Sequence, residues 1–422
     1  MKRKQNEHHR RAKRNAGFLA VSNLAGLGLP LIELPFLARA LGVDQYGALL
    51  FIQALALTAS TFVEYGFHYS GARSIAQADG EREIQRRAVV DITVAKMMIY
   101  AATMVVVLPL YFLNFEGGVP FGALFLAVIT ASFGFSPTWY YLGAGRLRFP
   151  VMFDVAIRAA GLLLIVLFVR TPEHLVLALS IQCAAGLINT VVPTIVMIRR
   201  TGVGRPSAIR SFAYIREGWH FFLYKSASSI SSSIATTILG ISSTIAQVGL
   251  FAPSEKLIRA GSTLVTATIS AFFPAAVKDI ATEGDAYKGR LIKPIALLFV
   301  FLLCGACLFA VSAEFIVHLA FGEAFTQGAP LLQLMAFLMP FRATSGTLSI
   351  LWLIPSGNEA LSSRLALANV LFVLVFGLIV APLAGAAGLA VVLATAEVCL
   401  FVAMILIVWR APMKAKTMGM RE

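Results

Sequence analysis

Hydrophobic and polar positions along this chain fall into long blocks. Continuous apolar runs occupy 16–38, 46–67, 88–113, 119–143, 150–169, 174–197, 217–241, 249–276, 290–312, 328–354, 361–383 and 386–409. Each is long enough for a helix to cross a bilayer, which takes about 20 residues. The runs are unbroken rather than alternating with a period of two, so a strand-built barrel is excluded. Glycine and proline punctuate their ends, as at Gly117-Gly118 and Pro355-Ser356-Gly357. The pattern predicts an all-α polytopic membrane protein with about twelve transmembrane helices. Residues 68–87 mix charge with scattered apolar positions and predict a short helix lying at the membrane surface.

Composition agrees. Hydrophobic residues make up 58% of the 422-residue chain and charged residues 13%, and the mean hydropathy is +0.81. A soluble domain could not hide that much apolar surface and still cover itself with polar groups. The net charge of +14 would suggest nucleic acid in a soluble protein. Here the basic residues are sorted. They crowd the first tail (Lys2, Arg3, Lys4, Arg10, Arg11, Lys13, Arg14) and then every second connection: Arg73 to Arg87, Arg146 and Arg148, Arg199 to Arg216, Lys278 to Arg290, Arg364, and the last tail. The intervening connections offer only Arg39 and Arg170. Basic residues near spans stay in the cytoplasm, so one orientation fits: both termini inside, an even number of crossings, short outer loops. The charge is topogenic and faces anionic membrane lipids, with no nucleic-acid partner expected.

The longest basic connection, 198–216, divides the spans into two sets of six. The expected organisation is a basic cytoplasmic tail (1–15), an N-lobe (16–197), a cytoplasmic linker (198–216), a C-lobe (217–409) and a cytoplasmic tail (410–422), with the two six-helix lobes around a central cavity. A short echo relates the halves: Gln45-Tyr46-Gly47 opens the second span and Gln247-Val248-Gly249 the eighth. Related halves are a known transporter arrangement. The four cysteines lie within apolar runs; Cys304 and Cys307 have CxxC spacing without a histidine or second pair, so no metal site is expected. No cleavable leader is expected either.

Ionisable groups inside the membrane are costly unless paired or wet. The chain keeps Glu33, Glu64, Asp91, Lys96, Asp154, Arg158, Lys225, Glu255, Lys256, Arg259, Arg342 and Glu397 within its runs. Asp154 with Arg158, and Glu255 with Arg259, are four apart and share a helix face, so each can be a structural ion pair or a functional one. Lys96, Lys225, Lys256 and Arg342 have no acidic residue three or four positions away that would pair them on their own helix. Lys225 opens a run of small polar residues to Ser233, which reads either as close helix packing or as the wall of a wet cavity. Pro30 and Pro35 flank Glu33 in the first span, which reads either as a simple kink or as a mobile gate element ending at Arg39. Surplus cations in a bundle interior call for an anionic substrate, and phosphate or diphosphate matches guanidinium and ammonium donors. Candidate substrate-binding residues are Arg39, Lys96, Lys225, Lys256, Arg259 and Arg342. Candidate ion-coupling residues are Glu33, Asp91 and Glu255.

Four segments in order carry a resemblance: Pro35-Phe36-Leu37-Ala38-Arg39-Ala40-Leu41-Gly42 with Gln45-Tyr46-Gly47 and Glu64-Tyr65-Gly66-Phe67; Pro137-Thr138-Trp139-Tyr140-Tyr141-Leu142-Gly143; Gln247-Val248-Gly249-Leu250-Phe251 with Glu255 and Lys256; and Phe321-Gly322-Glu323-Ala324-Phe325. The chain resembles, over essentially its whole length, the polysaccharide (O-antigen type) flippases of the multidrug/oligosaccharidyl-lipid/polysaccharide exporter superfamily. Pro253-Ser254 and the missing tyrosine of the fourth segment depart from the pattern. The resemblance implies two lobes around a cavity that opens alternately to each side of a bacterial cytoplasmic membrane. It implies a lipid-linked oligosaccharide carried on polyprenyl diphosphate, moved from the inner to the outer leaflet with Na+ or H+ coupling and no other cofactor. By position, Arg39 and Lys256 match the family's basic residues. Other polysaccharide-assembly membrane proteins are candidate partners.

The competing readings are a multidrug or small-solute antiporter of the same superfamily, which would rely on buried carboxylates, and a membrane glycosyltransferase or polymerase. An enzyme of that kind needs an acid–base or metal-carboxylate constellation on a sizeable outer loop, and the outer connections here are short.

Overall fold

A computed structural model describes residues 2–78, 80–114, 118–230, 233–283 and 285–410, with side chains at 2–25, 27, 220–221, 223–230, 285 and 409–410 excepted. Among the described residues all regular structure is helical. The chain divides into two compact units, Met1–Ile241 and Ser242–Glu422.

The first unit holds α1 (Lys2–Glu64), α2 (Phe67–Gln77), α3 (Arg82–Asn114), α4 (Gly122–Gly134), α5 (Thr138–Gly143), α6 (Arg148–Phe168), α7 (Leu175–Thr201), α8 (Ala208–Ile230) and α9 (Ile234–Ser242). The second holds α10 (Ile245–Ser270), α11 (Phe273–Glu283), α12 (Asp285–Val311), α13 (Ala313–Phe321), α14 (Ala329–Ala336), α15 (Leu338–Leu348) and α16 (Glu359–Arg410). Among the described residues, eight helical stretches are long and apolar enough to cross a membrane, or nine if α10 and α11, bent by 53° at Ala271-Phe272, count as one crossing.

Two of the eight stretches are 50 residues long, far more than one crossing needs. Both contain a glycine with non-helical backbone: Gly42 (φ 70°, ψ 177°) in α1 and Gly385 (φ 57°, ψ −143°) in α16. Across each break the arms come back together. Gln182 bridges Glu33 and Gln53 on the two arms of α1, and Asn369 Nδ2 donates to the Ala396 carbonyl, 3.2 Å, between the arms of α16. These reversals fall between the apolar runs 16–38 and 46–67 and between 361–383 and 386–409, and are made with almost no loop.

At Gly385 the backbone needs positive φ, and a Cβ there would meet the Gln247 amide. Gln247 Oε1 accepts from the Ala386 N–H at 2.5 Å, supplying a partner to a helix-start donor left open by the break. Gln247 belongs to the Gln-x-Gly echo, so this part of the motif is a helix-end partner.

Three boundaries differ from the sequence expectation. The predicted surface helix over 68–87 ends at Gln77, and residues 82–87 already belong to α3. The predicted fourth span breaks at Ser136-Pro137, because proline lacks the donor that would continue the ladder. The division between units falls after Ile241 rather than in the basic connection, since α8 and α9 pack on the first unit. Ser233 and Thr237 share hydroxyl hydrogen bonds with Thr58 at 2.8 and 3.1 Å, and the Phe51 ring lies against Gly240.

The core of the first unit's basic end is aromatic. Trp139, Tyr140 and Tyr141 of α5 are buried with Phe67, Ile75, Ile92 and Met197. Close approach is possible because the facing residues are small: a Cβ on Gly71 would come within 2.7 Å of the Trp139 ring. The Pro137–Gly143 and Glu64–Phe67 segments therefore carry packing. Tyr65, at φ 50°, stacks its ring on Phe222 at 4.7 Å.

Candidate functional site

The second unit gathers four charges from three helices that pack on one another. Arg342 of α15 donates from Nε to Glu397 Oε1 of α16 at 2.8 Å, and its Nη1 lies 3.8 Å from Glu255 Oε1 of α10. Glu255 in turn pairs with Arg259, one turn along α10. The order is Glu397–Arg342–Glu255–Arg259, and the set is formally neutral. Glu255 and Glu397 are buried, while Arg342 and Arg259 keep about a fifth of their side chains accessible (20% and 22%). Residues Glu255, Arg259, Ser262 and Thr266 recur at helical spacing, so α10 presents one polar stripe. Among the described residues, Arg259 Nε and the buried hydroxyls of Thr344 and Ser345 on α15 have no hydrogen-bond partner. Orphaned polar atoms of this kind are uncommon in packed interiors and mark where a polar guest could be held. Lys256 adjoins Glu255 and is half-buried.

The first unit arranges its polar interior differently. Gln182 of α7 donates to Glu33 Oε1 at 2.5 Å and accepts from Gln53 Nε2 at 2.7 Å. Asp154 accepts from Arg158 on its own helix at 2.7 Å and from Asn189 of α7 at 2.5 Å. Arg39 is exposed, three residues before the break at Gly42.

Several candidates are corrected by these positions. Lys96 is not on a wet wall: it is 2% exposed, and its ammonium donates to the Gly134 carbonyl at the end of α4, 2.8 Å. Asp91, an expected ion-coupling residue, joins two helices. It is buried, accepts from Arg210 Nε at 2.6 Å and from the Ser207 N–H at 2.9 Å, and so ties the start of α8 to α3. That hydrogen bond raises Arg210 above the ordinary guanidinium value. Arg342 has carboxylate partners after all, supplied by helices remote in sequence. The Lys225 side chain, and those of Ser226 to Ser232, lie outside the described residues; Ser233, at the end of that run, is buried against α1.

Sequence reasoning missed Glu397 as a site member and passed over Gln53, Gln182 and Asn189. The available signal was the amide itself: a glutamine or asparagine inside an apolar run needs a partner as a charge does.

Comparison with known proteins adds a family. A model described as "Polysaccharide biosynthesis protein" matches residues 12–279, more than half of the chain. The chain belongs to the polysaccharide biosynthesis protein family. Among curated relatives of this family member, a putative O-antigen transporter of Escherichia coli (strain K12) is 25% identical over 338 residues, covering 78% of this chain and 80% of the relative. A putative O-antigen transporter of Shigella dysenteriae is 24% identical over 409 residues, covering 93% and 99%. In fold, this polysaccharide biosynthesis family member is similar to the lipid II flippase MurJ in an inward closed conformation, with TM-score 0.70, 14% identity, and 94% and 88% of the two chains covered. It is also similar to an inward-facing multidrug resistance MATE family transporter of the MOP superfamily, with TM-score 0.62, 15% identity, and 93% and 97% covered. The chain is therefore a multi-pass membrane protein with the fold of MOP transporters.

Proposed function

We propose that this protein is a flippase that carries a lipid-linked oligosaccharide, headed by a diphosphate, from the inner to the outer leaflet by ion-coupled alternating access. The family membership and the curated relatives, named as O-antigen transporters, support the class of cargo. The observation that carries the mechanism is the buried Glu397–Arg342–Glu255–Arg259 chain.

A diphosphate cannot enter hydrocarbon bare, and guanidinium forks match its oxygens. When such a headgroup takes Arg342 or Arg259, it displaces a carboxylate. When Arg342 is the one taken, Glu255 keeps Arg259, but Glu397 would then be a buried anion without its guanidinium, which is strongly unfavourable. A proton or Na+ on that carboxylate answers its charge and offsets part of the charge that the headgroup brings in. Substrate entry and cation uptake are thus coupled by charge balance within one cluster. Lys256 and Arg39 are further candidate contacts for the headgroup, and Lys225 keeps that role as an expectation. Glu33 and Glu255 are the candidate coupling carboxylates.

The test is complementation in cells lacking their own lipid-linked oligosaccharide flippase. The wild-type chain is expected to restore surface polysaccharide, and Arg342→Gln to insert normally yet export at least about tenfold less, as a lost charge-assisted contact to phosphate of 1.5–3 kcal/mol implies. Wild-type export by that variant would sink the headgroup role.

A second reading, a multidrug antiporter of the same superfamily, is favoured by one specific observation. The cluster pairs its arginines with carboxylates instead of presenting surplus cation. Altered drug sensitivity without altered surface polysaccharide would select it.

A further inference from the structure

We propose that the first unit carries a binding site for an anionic phospholipid, best matched by the two-phosphate headgroup of cardiolipin, at the end where α5, α6 and α7 meet. A cavity of about 840 Å³ opens there, bounded by the tight turn between α5 and α6 and by the last turn of α7. Three arginines line it from separate places in the chain: Arg146 in the turn, Arg148 at the start of α6 and Arg200 near the end of α7. All three are exposed, and among the described residues none forms an ion pair with a carboxylate. They differ in this from Arg342 and Arg259, whose charges are already answered.

The mouth also holds the start of α6. Its N-cap, Leu147, provides no side-chain acceptor, so the first N–H groups of α6, beside the lining residues Arg148 and Phe149, have no side-chain cap. A 21-residue helix adds its dipole to their charge.

What selects a lipid over a soluble anion is the apolar part of the lining. Phe149, Met152, Phe153 and Ala156 line the cavity, at spacings of three, four and seven, which is one face of α6 leading away from the arginines. Phe149 and Phe153 stack at 5.7 Å, and Phe149 and Met152 are 38% and 49% exposed. The occupant therefore has a strongly anionic head and an apolar tail, joined so that the tail runs along a membrane-crossing helix. Three guanidiniums and a helix start outmatch one phosphodiester and suit two. Basic pockets between spanning helices at the cytoplasmic side are a general way of holding such headgroups, and the charge pattern assigns this end to that side. The site lies wholly within the first unit and is separate from the charge cluster of the second.

The full-length protein, purified in neutral detergent, is offered cardiolipin or phosphatidylcholine and retained lipid is read by native mass spectrometry. Cardiolipin is expected to be retained and phosphatidylcholine not. Replacing Arg146, Arg148 and Arg200 by Gln together is expected to weaken retention on the order of a hundredfold, about fivefold per cation removed. The matching triple change to Lys, which keeps the charge, should stay close to wild type. Equal retention of both lipids, or unchanged cardiolipin binding in the Gln variant, would overturn the proposal. Competition on the wild-type protein needs no variant. Inorganic phosphate at millimolar concentration is expected to leave cardiolipin bound; displacement would make this a site for free anions and overturn the lipid assignment. Farnesyl diphosphate displacing cardiolipin at lower concentration than cardiolipin itself requires would make the cavity a station on the transport path, and would overturn it as well. None of these readouts depends on transport, so a failure here leaves the flippase reading untouched, and the reverse.

Discussion

Glu397 shows how a single side chain acquires meaning only through its neighbours. It sits in an apolar run, 55 positions from the arginine it binds. Removing one member of such a buried pair leaves an unanswered charge, and costs about 3–5 kcal/mol, whereas replacing both costs far less. Glu397→Gln should therefore lower the thermal stability of the purified protein more than Arg342→Met with Glu397→Met does. A double change as destabilising as the two single changes added together would mean the pair is not coupled. Gly71 makes the opposite kind of point. Its missing Cβ lets α2 lie on the Trp139 ring, so Gly71→Leu should overpack that contact and destabilise by about 1–3 kcal/mol, read by the same melt. The paired charges at Asp154/Arg158 and Glu255/Arg259 were legible from their four-residue spacing. The partners of Arg342 and Lys96 were not, because spacing along one helix carries no information about which helix packs beside it.

At the scale of elements, the hydrophobic runs marked where spans lie better than where they end. Chain reversal at Gly42 and Gly385 needs one glycine and no loop, so runs that look adjacent are one helical stretch to the eye and two arms in space. Pro137 broke a helix that hydropathy had drawn as continuous, because hydropathy sees side chains and the break is a backbone donor lost. The hairpin in α16 depends on Gln247 from another helix. Gln247→Ala should leave the Ala386 N–H unpartnered, with a cost of about 1–3 kcal/mol, and should raise proteolytic cleavage near Gly385 ahead of the rest of the chain. Unchanged cleavage there would remove Gln247 from the turn.

For the molecule as a whole, the sorting of lysine and arginine into alternate connections was the most transferable signal, since it reflects the anionic inner leaflet rather than any contact within the fold. It predicts that a fluorescent protein fused after Glu422 folds and fluoresces in the cytoplasm; a dark fusion whose chain is inserted would reverse the orientation. The helical class and the family were legible in sequence for the same reason: both rest on long-range composition and on ordered motifs. The site was less so. Reading Arg342 as a lone cation in a wet chamber overlooked that membrane interiors favour internal neutralisation, and the structure answers it with Glu397 and Glu255.

The Glu33–Gln182–Gln53 chain has a polarity. A carboxylate can only accept, so Gln182 must turn its amide nitrogen toward Glu33, which leaves its oxygen for Gln53. Were a proton to settle on Glu33 Oε1, a donor would face a donor there, and unless the carboxyl turned its other oxygen to Gln182 both glutamines would flip end for end. Occupancy of one acid in the first arm of α1 would then be recorded as the direction of an amide on the second arm, a vectorial memory that shifts amide vibrational frequencies without moving a helix.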